Sequence, residues 1–87
     1  MSATHPKLAR RARLRFDEIE KKHMLLYPER GLVLNESAAA IVELCDGTRS
    51  EVEIVEALAA KTDTPRERVA ADVRELVARL SDKGLVE

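Results

Sequence analysis

The sequence predicts an α+β domain in which a three-stranded antiparallel sheet is followed by three helices. Two observations lead to this class. Short apolar runs separated by turn residues occupy the first part of the chain, a pattern typical of strands. Beyond them, apolar residues recur at helical spacing behind capping residues, and strands that precede helices indicate an α+β fold. A length of 87 residues allows one domain.

The strands are predicted in the N-terminal part of the chain. Residues 1–6 are small and polar and indicate a flexible arm, which leaves 7–87 as the single domain. Basic and apolar residues alternate from Lys7 to Phe16, as in a strand with one basic face. The apolar runs 23–27 and 32–34 form a second and a third strand. The segment from Pro28 to Gly31 joins them as the turn of a hairpin.

The first two helices are predicted from their caps. Asn35 and Ser37 are candidate N-caps of the first helix, whose apolar stripe ends before Gly47. Two overlapping capping boxes precede the second helix: one pairs Thr48 with Glu51, and the other pairs Ser50 with Glu53.

The third helix is predicted to be the longest. Thr64 is its expected N-cap, Pro65 its first residue, and Gly84 its stop. Its apolar stripe fits either a core or the seam of a dimer, so the sequence is compatible with a monomer or a homodimer. Three helices that carry a small sheet resemble a winged helix-turn-helix domain. The stripe comprises Val69, Val73, Leu76 and Leu80.

Catalysis, metal binding and membrane insertion find no support in the sequence. Cys45 falls on an apolar stripe, His5 lies in the arm, and His23 has no acid or nucleophile near it in the sequence. The count of Cys and His is too low for a structural zinc site. A single cysteine forms no internal disulfide and fits a cytoplasmic protein. There is no apolar run long enough to span a membrane. We therefore expect a protein that is not an enzyme and has no cofactor.

Charge and strand composition leave two binding functions open. The formal net charge is −1, whereas duplex binding draws on an excess of Lys and Arg. The third helix is nearly neutral, with five basic and four acidic residues. Both observations disfavour a DNA-binding winged-helix regulator, which is the alternative to a peptide-binding function. The segment 32–34 carries no charge, and an uncharged edge strand invites a peptide to pair with it.

Specific runs of residues resemble the PqqD family. They are the run from His23 to Glu29, the run from Leu34 to Ala38, the pair Ile41-Val42 and the pair Asp46-Gly47. The resemblance implies a winged helix-turn-helix peptide chaperone of the RiPP recognition element type, acting in pyrroloquinoline quinone (PQQ) biosynthesis. Such a protein binds the precursor peptide PqqA and presents it to PqqE, a radical S-adenosylmethionine enzyme. It binds neither nucleic acid nor a metal for this task.

The resemblance also implies where the peptide binds. The leader of the precursor adds as a strand beside the third strand and packs against the third helix. The family's turn often reads Pro-Glu-Gly, but here glycine comes one place later, at Gly31. The sequence therefore leaves open which of the next three residues face the core. The implied groove residues are Gly31, Leu32, Val33, Leu34 and Asn35 on the strand, and Val69, Asp72, Val73 and Leu76 on the helix.

The N-terminal region carries an excess of positive charge. Residues 1–22 hold seven basic and three acidic side chains, whereas the rest of the chain holds eight and thirteen. We hypothesise that Arg10, Arg11 and Arg13 contact an acidic surface of the partner enzyme.

Overall fold

The predicted fold class is confirmed by a computed structural model, which describes residues 5–28 and 30–86. The sheet is antiparallel with the order β1-β2-β3, and the three helices follow it. The elements are β1 Arg13–Asp17, β2 Lys22–Tyr27, β3 Arg30–Leu34, α1 Glu36–Glu43, α2 Glu51–Lys61 and α3 Arg66–Asp82.

The N-terminal segment differs from the single strand that was predicted. The Ala12 N–H donates to the Ala9 carbonyl, which forms a turn and delays β1 until Arg13. Before that turn, Lys7 forms an isolated bridge with Asp46, and Leu8 forms one with Val86. On the predicted apolar side, Ala12 is buried and Leu8 and Leu14 are partly buried, whereas Phe16 is 44% exposed. The strand breaks because its two halves pair with different partners.

The predicted N-terminal arm falls mostly outside the described residues. Of its last two residues, His5 is exposed and Pro6 is buried. The Pro6 carbonyl accepts a hydrogen bond from the Gly47 N–H at 3.0 Å. The chain is therefore attached to the domain from Pro6 onward.

The hairpin of β2 and β3 is confirmed, with a shorter loop than predicted. Tyr27 pairs with Arg30, so only two residues connect the strands. Gly31, predicted as a turn residue, instead lies within β3 opposite Leu26. Glu29, predicted as a turn residue, lies outside the described residues. Pro28 fixes the end of β2 because it has no N–H to donate.

Side-chain caps begin the first two helices. The Ala38 N–H donates to the Asn35 side-chain oxygen at 2.7 Å, which selects Asn35 as the first cap. Ser50 and Glu53 form the reciprocal capping box of α2. Thr48 does not cap, because its N–H and its hydroxyl both bond to Asp46.

The two ends of α3 differ in how well the sequence predicted them. The prediction that Thr64 caps the helix is wrong: Pro65 is the N-cap, and no side chain accepts a hydrogen bond there. The predicted stop at Gly84 is confirmed, since its φ is +74°. The Leu85 N–H returns to the Leu80 carbonyl at 2.8 Å, as in a Schellman motif.

The core lies between the inward face of the sheet and the helices. The α3 stripe is buried within one chain, so it serves the core. α1 lies against all three strands and both other helices. The largest fully buried side chains are Leu25, Ile54, Val73 and Leu80.

A matched pair of substitutions in α2 tests this division between core and surface. Val55 is 5% exposed and Val52 is 57% exposed. We expect Val55→Ala to lower the free energy of unfolding by about 2 kcal/mol, through lost burial and a cavity. Val52→Ala should change it by less than about 0.5 kcal/mol. Urea denaturation followed by circular dichroism checks both, and equal losses would contradict the assigned core.

Candidate functional site

Along one edge of the sheet, backbone N–H and C=O groups have no partner among residues 5–28 and 30–86. β3 lies at the edge, because the strand order ends with it. A two-residue loop closes on a hydrogen-bonded pair, here Tyr27 with Arg30. Such pairs alternate along an antiparallel ladder. The N–H and C=O groups of Gly31 and Val33 therefore point away from β2, toward the open edge.

The register left open by the sequence is resolved by the pairing of β2 with β3. Leu32 lies opposite Leu25, which is fully buried, and Leu34 is 6% exposed. Val33 projects from the other face and is 57% exposed. Leu32 and Leu34 therefore anchor the strand in the core, while the backbone at Val33 remains available.

A groove lies between the start of α1 and α3, and it begins at Asn35, the residue that follows β3. The Cα atoms of β3 and α3 all stay more than 8 Å apart, and α1 lies against both elements. We call this opening the α3 groove. Its walls are Asn35, Ser37, Ala38 and Ile41 on one side and Arg68, Asp72, Glu75, Leu76 and Arg79 on the other. It continues past Asp72 into a concavity lined by Leu58, Thr62, Pro65 and Val69.

The predicted helix residues fall at different depths of this groove. Asp72 is exposed and lines both parts of it. Val69 and Leu76 are each 7% exposed and form its apolar wall. Val73 is fully buried and lies behind that wall. Asp72 is thus the most accessible of the four predicted helix residues.

Three charged residues of the groove were not singled out from the sequence. Arg68, Glu75 and Arg79 are exposed on α3 and line the groove with Asp72. Each of these four immediately precedes a residue of the α3 stripe, so they share one side of the helix. That offset is the sequence signal that could have found them. Among the described residues, none of the four takes part in an ion pair.

The basic residues proposed to contact the enzyme lie elsewhere. Arg10 and Arg11 form part of the turn before β1 and are exposed near Lys83 at the end of α3. Arg13 is exposed in β1, opposite Leu26. The three arginines are therefore separate from the α3 groove.

Cys45 and His23, the two described side chains considered for catalysis that lie within the domain, make structural contacts. The Cys45 thiol is buried and donates a hydrogen bond to the Ile41 carbonyl at 3.3 Å. Burial, helped by the charges of Asp46 and Glu51, raises the pKa of this thiol to about 11. The His23 ring packs against the Phe16 ring in a tilted arrangement, with centroids 4.9 Å apart.

Metal binding and membrane insertion find no support in the described ranges. Within residues 5–28 and 30–86, no three metal-ligating side chains converge on one point. The helices of the same ranges are too short or too polar to cross a bilayer.

Comparison with known proteins decides the family. A family model described as coenzyme PQQ synthesis protein D (PqqD) matches residues 22–86. The chain belongs to the PqqD family. A "PqqA binding protein" of Rhodopseudomonas palustris strain HaA2 is 41% identical over 83 residues, which cover 95% of this chain and 81% of the relative. Membership of the PqqD family confirms the predicted resemblance and the expectation of a non-catalytic protein.

Solved structures agree with the family and the fold. The PqqD part of Methylobacterium extorquens PqqCD, described as a functional, stand-alone RiPP recognition element, is 38% identical. It superposes with a TM-score of 0.81, covering 94% of this chain and 87% of that one. TbiB1, solved with the TbiA(beta) leader peptide, is 23% identical with a TM-score of 0.76, covering 93% and 94%. TbiB1 shares the fold.

The buried state of Cys45 gives a prediction about its reactivity. Because burial raises its pKa to about 11 from 9.0, we expect the folded protein to resist alkylation by iodoacetamide at pH 8, where only the thiolate reacts. Because the folded state favours the protonated thiol, the contribution of this thiol to the stability of the folded protein is fully present below pH 9.0. That contribution is lost as the pH rises toward 11.

Mass spectrometry after a timed pulse of reagent measures the labelling. The same protein in 6 M guanidinium should label at the rate of an ordinary cysteine, and Cys45→Ala should not label. Fast labelling of the native protein at pH 8 would show that Cys45 is accessible and reactive.

Proposed function

We propose that this chain is a non-catalytic chaperone that binds the precursor peptide PqqA and presents it to PqqE in PQQ biosynthesis in the cytoplasm. The observation that carries the proposal is the unpaired backbone of Gly31 and Val33 at the edge of β3, beside the α3 groove. We take residues 7–87 to be the single domain that does this.

Strand addition is the binding mode that the edge favours. A peptide placed beside β3 can exchange N–H···O=C bonds with Gly31 and Val33, the two residues whose groups point outward. Backbone pairing tolerates many sequences, so selectivity has to come from side chains. Relatives described as PqqA binding proteins support PqqA as the ligand.

The α3 groove is suited to read those side chains. Alternate residues of an added strand point to the same face, and those on the helix side would meet the apolar wall of Val69 and Leu76. Asp72 would offer a carboxylate to a donor of the peptide, and Asn35 would meet the chain where β3 ends. Val73 acts from behind the wall by holding its position. The peptide loses chain entropy on ordering, which keeps the affinity moderate for the area buried.

The proposed division of labour with PqqE follows from the side chains of the domain. Cys45 and His23 hold structural positions, so the chain offers the peptide a surface and leaves the chemistry to its partner. Arg10, Arg11 and Arg13 are exposed and lie away from the groove, which lets them face an acidic surface of PqqE. Unchanged PqqE binding at low salt after charge reversal of all three would refute this contact.

Titration of the ¹⁵N-labelled protein with PqqA peptide, and separately with duplex DNA, tests the proposal. We expect saturable peptide-induced shifts in residues 31–35 and along α3. The duplex should give no saturable binding, because the four charges along the groove side of α3 include two carboxylates that would lie near phosphates. Saturable binding only to DNA would instead favour the winged-helix regulator. Peptide shifts scattered far from β3 would also contradict the proposal.

A proline at Val33 tests the backbone contact. Val33→Pro removes an N–H that faces the open edge, so we expect the fold to survive and the peptide affinity to fall by about tenfold, the loss of roughly one good hydrogen bond. Val33→Ala is the matched control, since it removes the side chain and keeps the N–H. Isothermal titration gives both affinities. A folded Val33→Pro protein with normal affinity would place the peptide at another edge.

A further inference from the structure

The outward face of the sheet is apolar at its centre and basic along one side. Pairing of the strands places Met24 between Arg15 and Val33, and Leu26 between Arg13 and Gly31. These side chains share one face because residues paired across a sheet project to the same side. α1 packs against all three strands on the opposite face, which carries the core side chains Leu25 and Leu34, so this face has no cover from the described parts of the chain.

The exposed apolar area extends to the turn between β1 and β2. Ile19, at that turn, is 92% exposed, and Val33 is 57% exposed. A shallow concavity connects Ile19 with Met24 and Leu26. The absence of a side chain at Gly31 also shapes this exposed apolar area. A Cβ there would meet the Leu26 Cδ2 at 3.0 Å and the Met24 Cε at 3.1 Å. Glycine thus lets the Leu26 and Met24 side chains lie over β3.

The positive charge at the side of this face is not neutralised within the domain. Arg13 and Arg15 are exposed and form no ion pair among the described residues. The nearest carboxylate in β1 belongs to Asp17, and it accepts the N–H groups of Ile19 and Glu20 at 3.0 and 3.1 Å. A partner that covers this face therefore complements it with apolar side chains beside carboxylates.

The geometry points to this outward face as the surface on which the peptide-modifying enzyme docks, an inference that rests on the proposed function. A peptide added beside β3 projects every second side chain onto the same face, next to Val33. A protein seated on the face would touch the sheet and the bound peptide together. The face and the peptide would form one composite surface, which a partner meets in full only when the peptide is bound.

The composite surface explains why we favour an enzyme over other occupants. An enzyme that modifies the peptide has to approach the strand from a side that the chaperone leaves open. The helices and the α3 groove cover the inward side, and β2 covers one edge of β3. The outward face is therefore the side from which a protein can contact both the added strand and the arginines of β1.

The cross-strand pair Arg15 and Met24 provides the test. We expect the double variant Arg15→Glu, Met24→Thr to weaken binding to purified PqqE by at least about tenfold, since it reverses a charge and removes an apolar contact at the centre of the face. Its affinity for PqqA alone should stay within about twofold of the unmodified protein. Arg74→Glu, an exposed charge reversal on α3 outside the groove, is the matched control and should change neither affinity.

Isothermal titration with PqqE is run with and without PqqA, and binding to PqqA is measured separately. If the double variant fails to fold, the exposed single variant Arg15→Glu replaces it, with weaker PqqE binding and a smaller dependence on salt expected. Unchanged PqqE affinity in the folded variants would overturn the inference. A dimer would also overturn it if sedimentation detected that dimer without PqqE and the variants dissociated it, because a second copy of the chain would then occupy the face. Failure of the unmodified protein to bind PqqA would refute the proposed function. The PqqE affinities of the variants would then still test the outward face as a docking surface.

Discussion

The pairing of β2 with β3 through a two-residue loop determines the rest of the site. Because Tyr27 and Arg30 form the closing hydrogen-bonded pair, the backbone groups of Leu32 and Leu34 bond to β2, and their side chains face the core. Gly31 and Val33 are left with backbone groups at the open edge. A loop one residue longer would shift the register and exchange these roles. Strand, groove and outward face all depend on this one constraint.

The small size of the domain is consistent with a role in recognition. Three strands and three helices bury one core, and within the part of the chain that the structure describes, an edge of the sheet has no neighbour and one face has no cover. In an isolated domain such an edge is a hazard for aggregation. Here the other edge strand, β1, carries three charged residues out of five, which discourages pairing there. The weakly charged β3 is thus the edge that favours an added strand.

Local chemistry made much of the fold predictable. The capping box of Ser50 and Glu53, the cap at Asn35 and the stop at Gly84 each depend on residues within a few positions of one another, so the sequence contains the whole interaction. The same reasoning failed at Thr64, because the helix begins one residue later than expected, with Pro65 as its N-cap and no side-chain cap. A cap motif shows that a side chain is able to accept the capping hydrogen bond. It does not show whether the preceding chain places that side chain at the start of the helix.

Structural features that depend on residues far apart in the chain could not be predicted from the sequence. The break at Ala12 arises because Leu8 pairs with Val86, a partner at the far end of the chain. Gly31 belongs to β3 because of its place opposite Leu26, not because of its own preference for turns. The charged residues Arg68, Glu75 and Arg79 line a groove only because Asn35 and α1 lie across from them. The resemblance to PqqD supplied the groove, and the structure then separated accessible Asp72 from fully buried Val73.

Amide hydrogen exchange at β3 tests the central claim most directly. In the free protein, the N–H groups of Leu32 and Leu34 should exchange slowly, while those of Gly31 and Val33 should exchange fast because they face the open edge. Saturating PqqA should slow exchange at Gly31 and Val33 and leave the other two nearly unchanged. If Gly31 and Val33 were already protected in the free protein, or if PqqA left their exchange unaffected, strand addition at this edge would be contradicted.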